Sequence, residues 1–202
     1  FTEQDRITGK RVINLQNRAQ QIEQGKQYAE QAQKEWRAQG ITYNEAFDPE
    51  AYQRIVRIFS RLHSVSHLRE EEWQPYLVGI DKWNAFTLGG ADFFVYAGLE
   101  KDLKSDDELA AVIAHEMAHT VAGHIGEKTA YRTLSLVAGS RSSQRDTFQQ
   151  AFTHTNEEEA DKIGILYCAP AGFDPYAATR LWRRQYEQHG THALLFQDHP
   201  MN

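Results

Sequence analysis

Three histidines and one glutamate lie within ten residues of this 202-residue chain, in the segment HEMAHTVAGH at 115–124. If the segment is helical, His115 and His119 project from the same face, because residues four apart are neighbours on a helix surface. Two imidazoles at this spacing can bind one zinc ion. Glu116, next to the first histidine, could accept the proton of a water molecule activated by the ion. The segment therefore predicts a hydrolytic metal centre, but it supplies only two of the three protein ligands that a catalytic zinc needs.

Several residues are candidates for the third ligand. His124 would lie about 140° round an unbroken helix from His119, so we expect it to be packed or hydrogen-bonded rather than bound to the same ion. The segment TNEEEAD offers carboxylates instead, and its Glu157 and Asp161 share a helix face. Glu157 could bind the ion while Asp161 accepts the free N–H of a histidine ligand. Spacing alone favours Glu157 as the ligand and leaves Glu158 as the alternative.

Helix-end signals predict the elements that must position these residues. Ser105, followed three residues later by Glu108, forms a capping box, so we expect one helix over 106–125 with Gly126 as its end. A second capping box, beginning at Thr155, predicts the start of the helix that carries the carboxylates. The segment AGSRSSQRD between the two helices is typical of a loop.

The remainder of the chain predicts an α+β fold. The segments PYLVGID, AFTLGG and ADFFVYAG are short and rich in β-branched and aromatic residues, which predicts a small, mainly antiparallel three-stranded sheet. Asp48 followed by Pro49 predicts a helix start. The polar residues 1–40 predict one or two surface helices that form a packing arm, with Gly25 as a possible break. We expect a compact, mostly helical single domain over 1–202.

Composition excludes several classes of function. The formal net charge is −6, and no basic stripe is present that could neutralise phosphates, so nucleic-acid binding is not expected. No run of eighteen apolar residues exists, so no transmembrane segment is expected. The first residues lack a charged and then apolar stretch, so we expect that any signal peptide is already absent from this sequence. The single cysteine, Cys168, is expected to be a buried apolar residue.

The ordered motifs resemble a zinc metallopeptidase family that includes HtpX and the CAAX prenyl proteases. The chain is most similar to the soluble bacterial envelope branch and to the Oma-type mitochondrial proteases. HExxH at 115–119 is followed by EEEAD at 157–161, which matches the family's ExxxD pattern. WNAFTLGGADFFVYAGL upstream, and AGFDPYAATRLW and DHP downstream, match further family stretches. The resemblance covers roughly residues 45–202 and departs at Thr87-Leu88, where relatives often carry Ala and Pro.

The resemblance implies a compact gluzincin, a type of zinc endopeptidase, with one Zn²⁺ per chain. By this resemblance the zinc ligands are His115, His119 and Glu157. It also assigns Asp161 as the neighbour of a histidine ligand. Glu116 is the general base in this reading, which agrees with the chemistry expected from its place beside the histidine pair.

Two further sites are predicted, the first from the resemblance and the second from the chemistry of strand addition. His199, in the segment DHP, either donates a hydrogen bond to the developing oxyanion or occupies the water position on zinc and keeps the enzyme latent. An extended substrate is expected to add as a further strand to an edge formed by six residues. These residues are Ala85, Phe86, Thr87, Leu88, Gly89 and Gly90.

The expected function is therefore zinc-dependent hydrolysis of peptide bonds in polypeptides, with misfolded or envelope proteins as substrates. The alternative is a non-cleaving, zinc-stabilised chaperone or adaptor that binds unfolded segments. The base at Glu116 favours the enzyme, because a structural zinc needs no base. A peptide deformylase is disfavoured, because its cysteine ligand would precede the motif and Cys168 follows it. Resemblance alone implies the bacterial periplasm or cell envelope, with peripheral membrane association allowed.

Overall fold

The computed structural model describes residues 2–4, 9, 11–13, 16–87, 90–125 and 142–189. Its helices are α1 (Arg18–Ala38), α2 (Pro49–Val65), α3 (Ala97–Asp102), α4 (Asp106–Val121), α5 (Ser142–Cys168) and α6 (Ala177–His189), with a short 3-10 helix at Asn44–Ala46. Its strands are β1 (Thr2–Gln4), β2 (Arg11–Ile13), β3 (Gln74–Val78), β4 (Ala85–Thr87) and β5 (Asp92–Tyr96). The mostly helical α+β fold is confirmed. Within the described residues, no helix is long and apolar enough to cross a membrane.

The sheet has the three predicted strands in a different arrangement. Strand β5 lies in the middle, between β3 and β4. It pairs antiparallel with β4 over three residue pairs and parallel with β3 over five. The sheet is therefore mixed, whereas the sequence predicts a mainly antiparallel one. The strand segments are separated by short turns, which is typical of a meander, but β3 and β5 pair directly and leave β4 at the edge.

Alternation along β5 gives the sheet two covered faces. Phe93 and Val95 pack into the main core with α2 and α4. Phe94 points to the other face and packs against Trp36 of α1, with ring centroids 5.9 Å apart. Successive residues of a strand point to opposite faces, so β5 needs an apolar partner on each side.

The described part of the amino-terminal segment contains two paired strands and one helix. β1 and β2 pair antiparallel, which corrects the prediction of a helical arm over the whole of 1–40. Gly25 does not break α1; it is buried, and a Cβ placed on it would lie only 2.8 Å from the Cα of Gly90. The missing side chain instead lets the helix approach the turn before β5.

Helix α2 begins as the sequence predicts. The side chain of Asp48 accepts hydrogen bonds from the backbone N–H groups of Glu50 and Ala51, and Pro49 takes the first helical position. Helix α6 follows a second Asp-Pro pair, in which Asp174 accepts a hydrogen bond from the N–H of Tyr176 at 2.9 Å. Cys168 is buried, as expected.

Helix α4 ends earlier than predicted. It ends at Val121, and Gly123 two residues later has φ of +74°. This left-handed conformation favours glycine and terminates helices. His124 therefore lies beyond the helix end, rather than on a helix that continues to residue 125.

Helix α5 begins earlier than predicted. It starts at Ser142 and passes through Thr155, so the expected helix start at Thr155 is wrong. Residues 142–154 contain neither glycine nor proline, so no residue there interrupts a helix that already has tertiary support further along. The expected loop AGSRSSQRD lies partly in α5 and partly outside the described residues.

Candidate metal centre

Helix α4 carries the histidine pair through the interior of the protein. Every residue from Glu108 to Val121 is buried. The Ser105 side chain accepts a hydrogen bond from the backbone N–H of Glu108 at 3.2 Å, which caps the helix start. Helical spacing turns His115 and His119 towards each other, and their Nε2 atoms lie 3.1 Å apart. The two imidazoles thus converge on one point.

Helix α5 brings a carboxylate to the same point. Oε2 of Glu157 lies 3.2 Å from Nε2 of His115 and 3.5 Å from Nε2 of His119. Its neighbour Glu158 points outward and forms an ion pair with Lys162 at 2.5 Å. Of the two carboxylates that spacing leaves open, the structure brings only Glu157 to the histidines.

Small residues let the two helices approach closely enough for this meeting. Gly164 on α5 packs against the backbone of α4, where a Cβ would lie 3.2 Å from the nitrogen of His115. Ala160, one turn earlier on α5, is fully buried in the core. A larger side chain at position 164 would hold the helices apart, and the carboxylate with them.

The three donor atoms fit the dimensions of a zinc site. Zinc–ligand bonds of about 2.0–2.1 Å in tetrahedral geometry place neighbouring ligand atoms about 3.3–3.4 Å apart. The observed separations of 3.1, 3.2 and 3.5 Å bracket that value. Among the histidine, cysteine, aspartate and glutamate side chains of the described residues, one group of three lies close enough together to hold a metal ion. It consists of His115, His119 and Glu157. Two imidazoles and one carboxylate also leave a fourth position for water.

Asp161 supports the first histidine from behind. Its Oδ1 lies 2.8 Å from Nδ1 of His115. Burial favours the neutral ring, but hydrogen bonds with Asp161 and Glu157, and the charge of Glu116, raise the pKa of His115 to about 10. With a metal ion bound in place of the Nε2 proton, this carboxylate would hold the remaining proton on Nδ1 and keep Nε2 facing the ion.

The second histidine has its own neighbour, His124. Nδ1 of His119 lies 3.1 Å from Nδ1 of His124, whose Nε2 lies 3.4 Å from Oε2 of Glu159. The sequence predicts His124 to be packed or hydrogen-bonded, and its position agrees with that. Nothing in the sequence singles out Glu159, which resembles part of a solvated helix face.

Glu116 is a buried carboxylate on the same helix as the histidine pair. It is 3% exposed and directly follows His115 on α4. Its negative charge is one of the causes of the raised pKa of His115. A buried carboxylate that directly follows the first histidine in the chain is a candidate proton acceptor.

The predicted substrate edge is seen in part. Ala85, Phe86 and Thr87 form β4, at the edge of the sheet, and the Thr120 hydroxyl donates to that of Thr87 at 3.3 Å. This contact joins the end of β4 to α4, one residue after His119. Leu88 and Gly89 lie outside the described residues.

Gly90, the last of the six predicted edge residues, contacts the amino-terminal helix rather than extending β4. Its carbonyl accepts a hydrogen bond from Arg18 at 3.0 Å. His199 lies outside the described residues. Trp182 of α6 was not singled out in the sequence, yet its ring centroid is 6.3 Å from that of His115.

Comparison with known proteins shows the family of this chain. A family model described as peptidase family M48 matches residues 49–202. The mitochondrial metalloendopeptidase OMA1 of Schizosaccharomyces pombe is 35% identical over 143 residues, which cover 64% of this chain and 42% of that protein. The OMA1 of Arabidopsis thaliana is 31% identical over 153 residues, covering 70% of this chain and 32% of that protein.

A bacterial relative has a different name. The beta-barrel assembly-enhancing protease of Yersinia pestis is 29% identical over 165 residues, covering 70% of this chain and 34% of that protein. The chain thus spans between about a third and two fifths of the length of these relatives. The resemblance inferred from the motifs is confirmed, including its Oma-type and bacterial branch. The chain belongs to peptidase family M48, whose members are zinc-dependent metallopeptidases.

Proposed function

We propose that this chain is a zinc-dependent endopeptidase that hydrolyses peptide bonds of polypeptides and binds one Zn²⁺. The observation that carries the proposal is the triangle of His115, His119 and Glu157 donor atoms, with sides that match a tetrahedral zinc site. The buried Glu116 next to this triangle supplies the proton acceptor that a purely structural site would not need. Family membership supports the same chemistry.

The chain's own residues would divide the reaction as follows. When bound, zinc supplies the Lewis acidity that polarises the scissile carbonyl and lowers the pKa of water. Glu116 accepts a proton as the water oxygen bonds to the carbonyl carbon, and it then delivers that proton to the amine nitrogen as the C–N bond breaks. Asp161 holds the His115 ring with its Nδ1 proton directed away from the metal position.

Substrate would bind along β4. An extended polypeptide that adds to Ala85–Thr87 makes main-chain hydrogen bonds, which depend little on the substrate's sequence. Such tolerance suits unfolded or misfolded proteins. The Thr87–Thr120 contact supports this position, because it fixes the strand relative to the helix that carries both histidines.

His199 is proposed as a second group that acts at the centre, on the basis of its DHP motif. As a donor to the oxyanion it would aid catalysis, and at the water position it would block it. A His199→Ala variant separates these roles, because cleavage falls in the first case and rises in the second. Cleavage at the parent rate would remove His199 from the proposal.

The proposed cellular location is the bacterial periplasm or cell envelope. The relatives named as beta-barrel assembly-enhancing proteases support it, whereas the OMA1 relatives are named as mitochondrial. Envelope proteins that fail to fold are then the proposed natural substrates. Fractionation of the cells that produce the protein, with detection by antibody, tests the location, and a purely cytoplasmic signal would contradict it.

The decisive experiment is cleavage of an unfolded protein by the zinc-loaded chain. Casein should be cut, chelation should stop the reaction, and added zinc should restore it. Glu116→Gln keeps the side-chain shape but removes the base, so we expect a loss of about 10²-fold or more with zinc content unchanged. Glu158→Gln is the matched control, because that carboxylate points outward to Lys162. Binding of casein without cleavage by the zinc-loaded parent would favour the chaperone or adaptor instead.

A further inference from the structure

The second histidine of the centre is held by a pair of side chains that the proposed function leaves unused. We infer that His124 and Glu159 are positioning residues, which orient the His119 ring and select the tautomer that can bind a metal. This inference rests on the proposed metal centre. It assigns a task to a histidine that is neither a ligand nor a proton acceptor in the reaction.

The three side chains form a continuous path from the metal position. His119 and His124 are joined through their Nδ1 atoms at 3.1 Å, and the His124 Nε2 atom faces Oε2 of Glu159 at 3.4 Å. His124 is 4% exposed, and the Glu159 side chain is 14% exposed. The two rings are inclined at 71°, so the contact joins nitrogen to nitrogen rather than stacking the ring faces. Solvent competes little for these contacts.

Proton positions along this path follow from the chemistry of imidazole. A neutral histidine has one N–H donor and one acceptor nitrogen. If the Nε2 atom of His119 binds the metal, its Nδ1 atom carries the proton and must donate to His124. The Nδ1 atom of His124 then accepts, so its own proton sits on Nε2 and faces Glu159. Each position in the path follows from the one before it.

The opposite order of protons would disable the ligand. If His124 donated from Nδ1, the Nδ1 atom of His119 would accept and its proton would move to Nε2, where the metal must bind. The negative charge of Glu159 favours the N–H on the side of His124 that faces it, and so disfavours this order. The separation of 3.4 Å is longer than a strong hydrogen bond, so the role of Glu159 is chiefly electrostatic.

The arrangement completes a pattern already present at the first histidine. His115 has Asp161 directly on its Nδ1, whereas His119 reaches a carboxylate through one intervening imidazole. The turn at Gly123, with its positive φ, ends α4 just before His124 and lets that ring fold back on the preceding turn. Partners of this kind on coordinated histidines contribute about 10- to 100-fold in metal affinity.

Zinc affinity of matched variants tests the pair. His124→Phe keeps a ring in the buried space but removes both nitrogens, and Glu159→Leu removes the carboxylate. We expect the zinc dissociation constant to rise about 10- to 100-fold for His124→Phe, and less for Glu159→Leu, in competition with a chromophoric chelator. Glu158→Leu, on the adjacent exposed position, should bind zinc as the parent does. Thermal unfolding of the metal-free proteins shows whether each variant is folded.

A measurement on the unmodified protein keeps the inference open to refutation if a variant fails to fold. In the zinc-loaded parent, ¹⁵N–¹H correlation of the imidazoles should show His124 protonated on Nε2 only. A neutral His124 protonated on Nδ1 would overturn the inference, as would folded His124→Phe with zinc affinity within twofold of the parent. If the parent itself does not bind zinc, the proposed function fails and the inference with it. If the parent binds zinc and the variants bind equally, only the inference fails.

Discussion

Replacing Gly164 by alanine tests how closely the metal centre depends on the contact between α4 and α5. The added Cβ would lie 3.2 Å from the backbone nitrogen of His115 and 3.4 Å from the carbonyl carbon of Ala114. Comfortable contacts of this kind begin at about 3.5 Å. Helix α5 would therefore have to move away from α4 by about 0.3 Å, which exceeds the roughly 0.2 Å by which zinc–ligand distances vary.

Two effects of this substitution oppose each other. Alanine in place of glycine within a helix stabilises the fold by about 0.5–1 kcal/mol, because the unfolded chain loses freedom. Overpacking a filled interior costs about 1–3 kcal/mol. At position 164 the second effect should win, because the atoms in the way belong to the backbone of α4 and cannot rotate aside. Helix α4 is itself buried along its length and cannot shift freely.

We expect Gly164→Ala to lower the free energy of unfolding by about 1–2 kcal/mol and to weaken zinc binding by about tenfold. Urea unfolding of the metal-free protein measures the first quantity, and competition with a chelator measures the second. Lys162→Ala, at an exposed position two residues earlier, is the control and should change stability by less than about 0.5 kcal/mol. A Gly164→Ala protein that is more stable than the parent and binds zinc equally well would refute the packing argument.

Three other substitutions probe the supports of the centre and of the fold. Asp161→Asn keeps the side-chain shape but removes the negative charge that faces Nδ1 of His115, so the zinc dissociation constant should rise about tenfold or more in chelator competition. An unchanged dissociation constant would contradict the role of Asp161 in orienting that histidine. Burial raises the pKa of Glu108, but the Arg184 guanidinium and a backbone N–H outweigh it and hold the pKa below its usual 4.5. The stabilisation that ionised Glu108 contributes through Arg184 is therefore fully present above pH 4.5, and it is lost as the pH falls through the folded-state pKa of Glu108. Glu108→Gln should thus cost about 1–3 kcal/mol at neutral pH and progressively less in acid, by urea unfolding across pH; a pH-independent cost would exclude the ion pair as its source. Trp36→Ala should cost about 3 kcal/mol in the same assay, and a loss below about 1 kcal/mol would show that α1 contributes little to the fold.

Local signals in the sequence predicted the elements that they govern directly. A helix cap acts within one turn, so the residues that determine a helix start lie next to each other in the sequence. This holds for Asp48 before Pro49 and for Ser105 before Glu108. The Thr155 pattern failed for the same reason. A capping box shows that a helix could start there, but it cannot show that a helix already extends from upstream. That extension depends on residues 142–154, which have no breaker and no distinctive pattern of their own.

The sequence singles out the proposed ligands and Asp161, but it does not single out every side chain that surrounds them. Two histidines four residues apart indicate a shared helix face, and a family motif singled out Glu157 among three consecutive glutamates. Glu159 gave no such signal, because its contact with His124 depends on where α4 ends. The left-handed Gly123 decides that end, and Gly126 looked like an equally good one. Contacts that arise between distant segments need the fold before they can be seen.

The order of strands in the sheet illustrates the same limit. Short turns between β-rich segments predict neighbours that pair in sequence, yet β3 pairs with β5 and leaves β4 outside. That order depends on which segment best fills the space between α1 and α2. β5 has an apolar side chain on both faces, so the centre of the sheet suits it. Strand β4 then lies at an edge of the sheet, and it is the strand of this sheet that lies nearest to α4.

The position of α1 affects how far this protein can be shortened from its amino-terminal end. The family match begins at residue 49, after α1 has ended at Ala38. Yet α1 shields Phe94 and Val78 on one side of the sheet, and its Arg18 binds Glu71 at 2.6 Å. A shortened protein that kept only the matched region would expose those aromatic and aliphatic side chains to water and invite self-association. We therefore expect the smallest unit that folds by itself to include α1, which lies outside the region shared with the family.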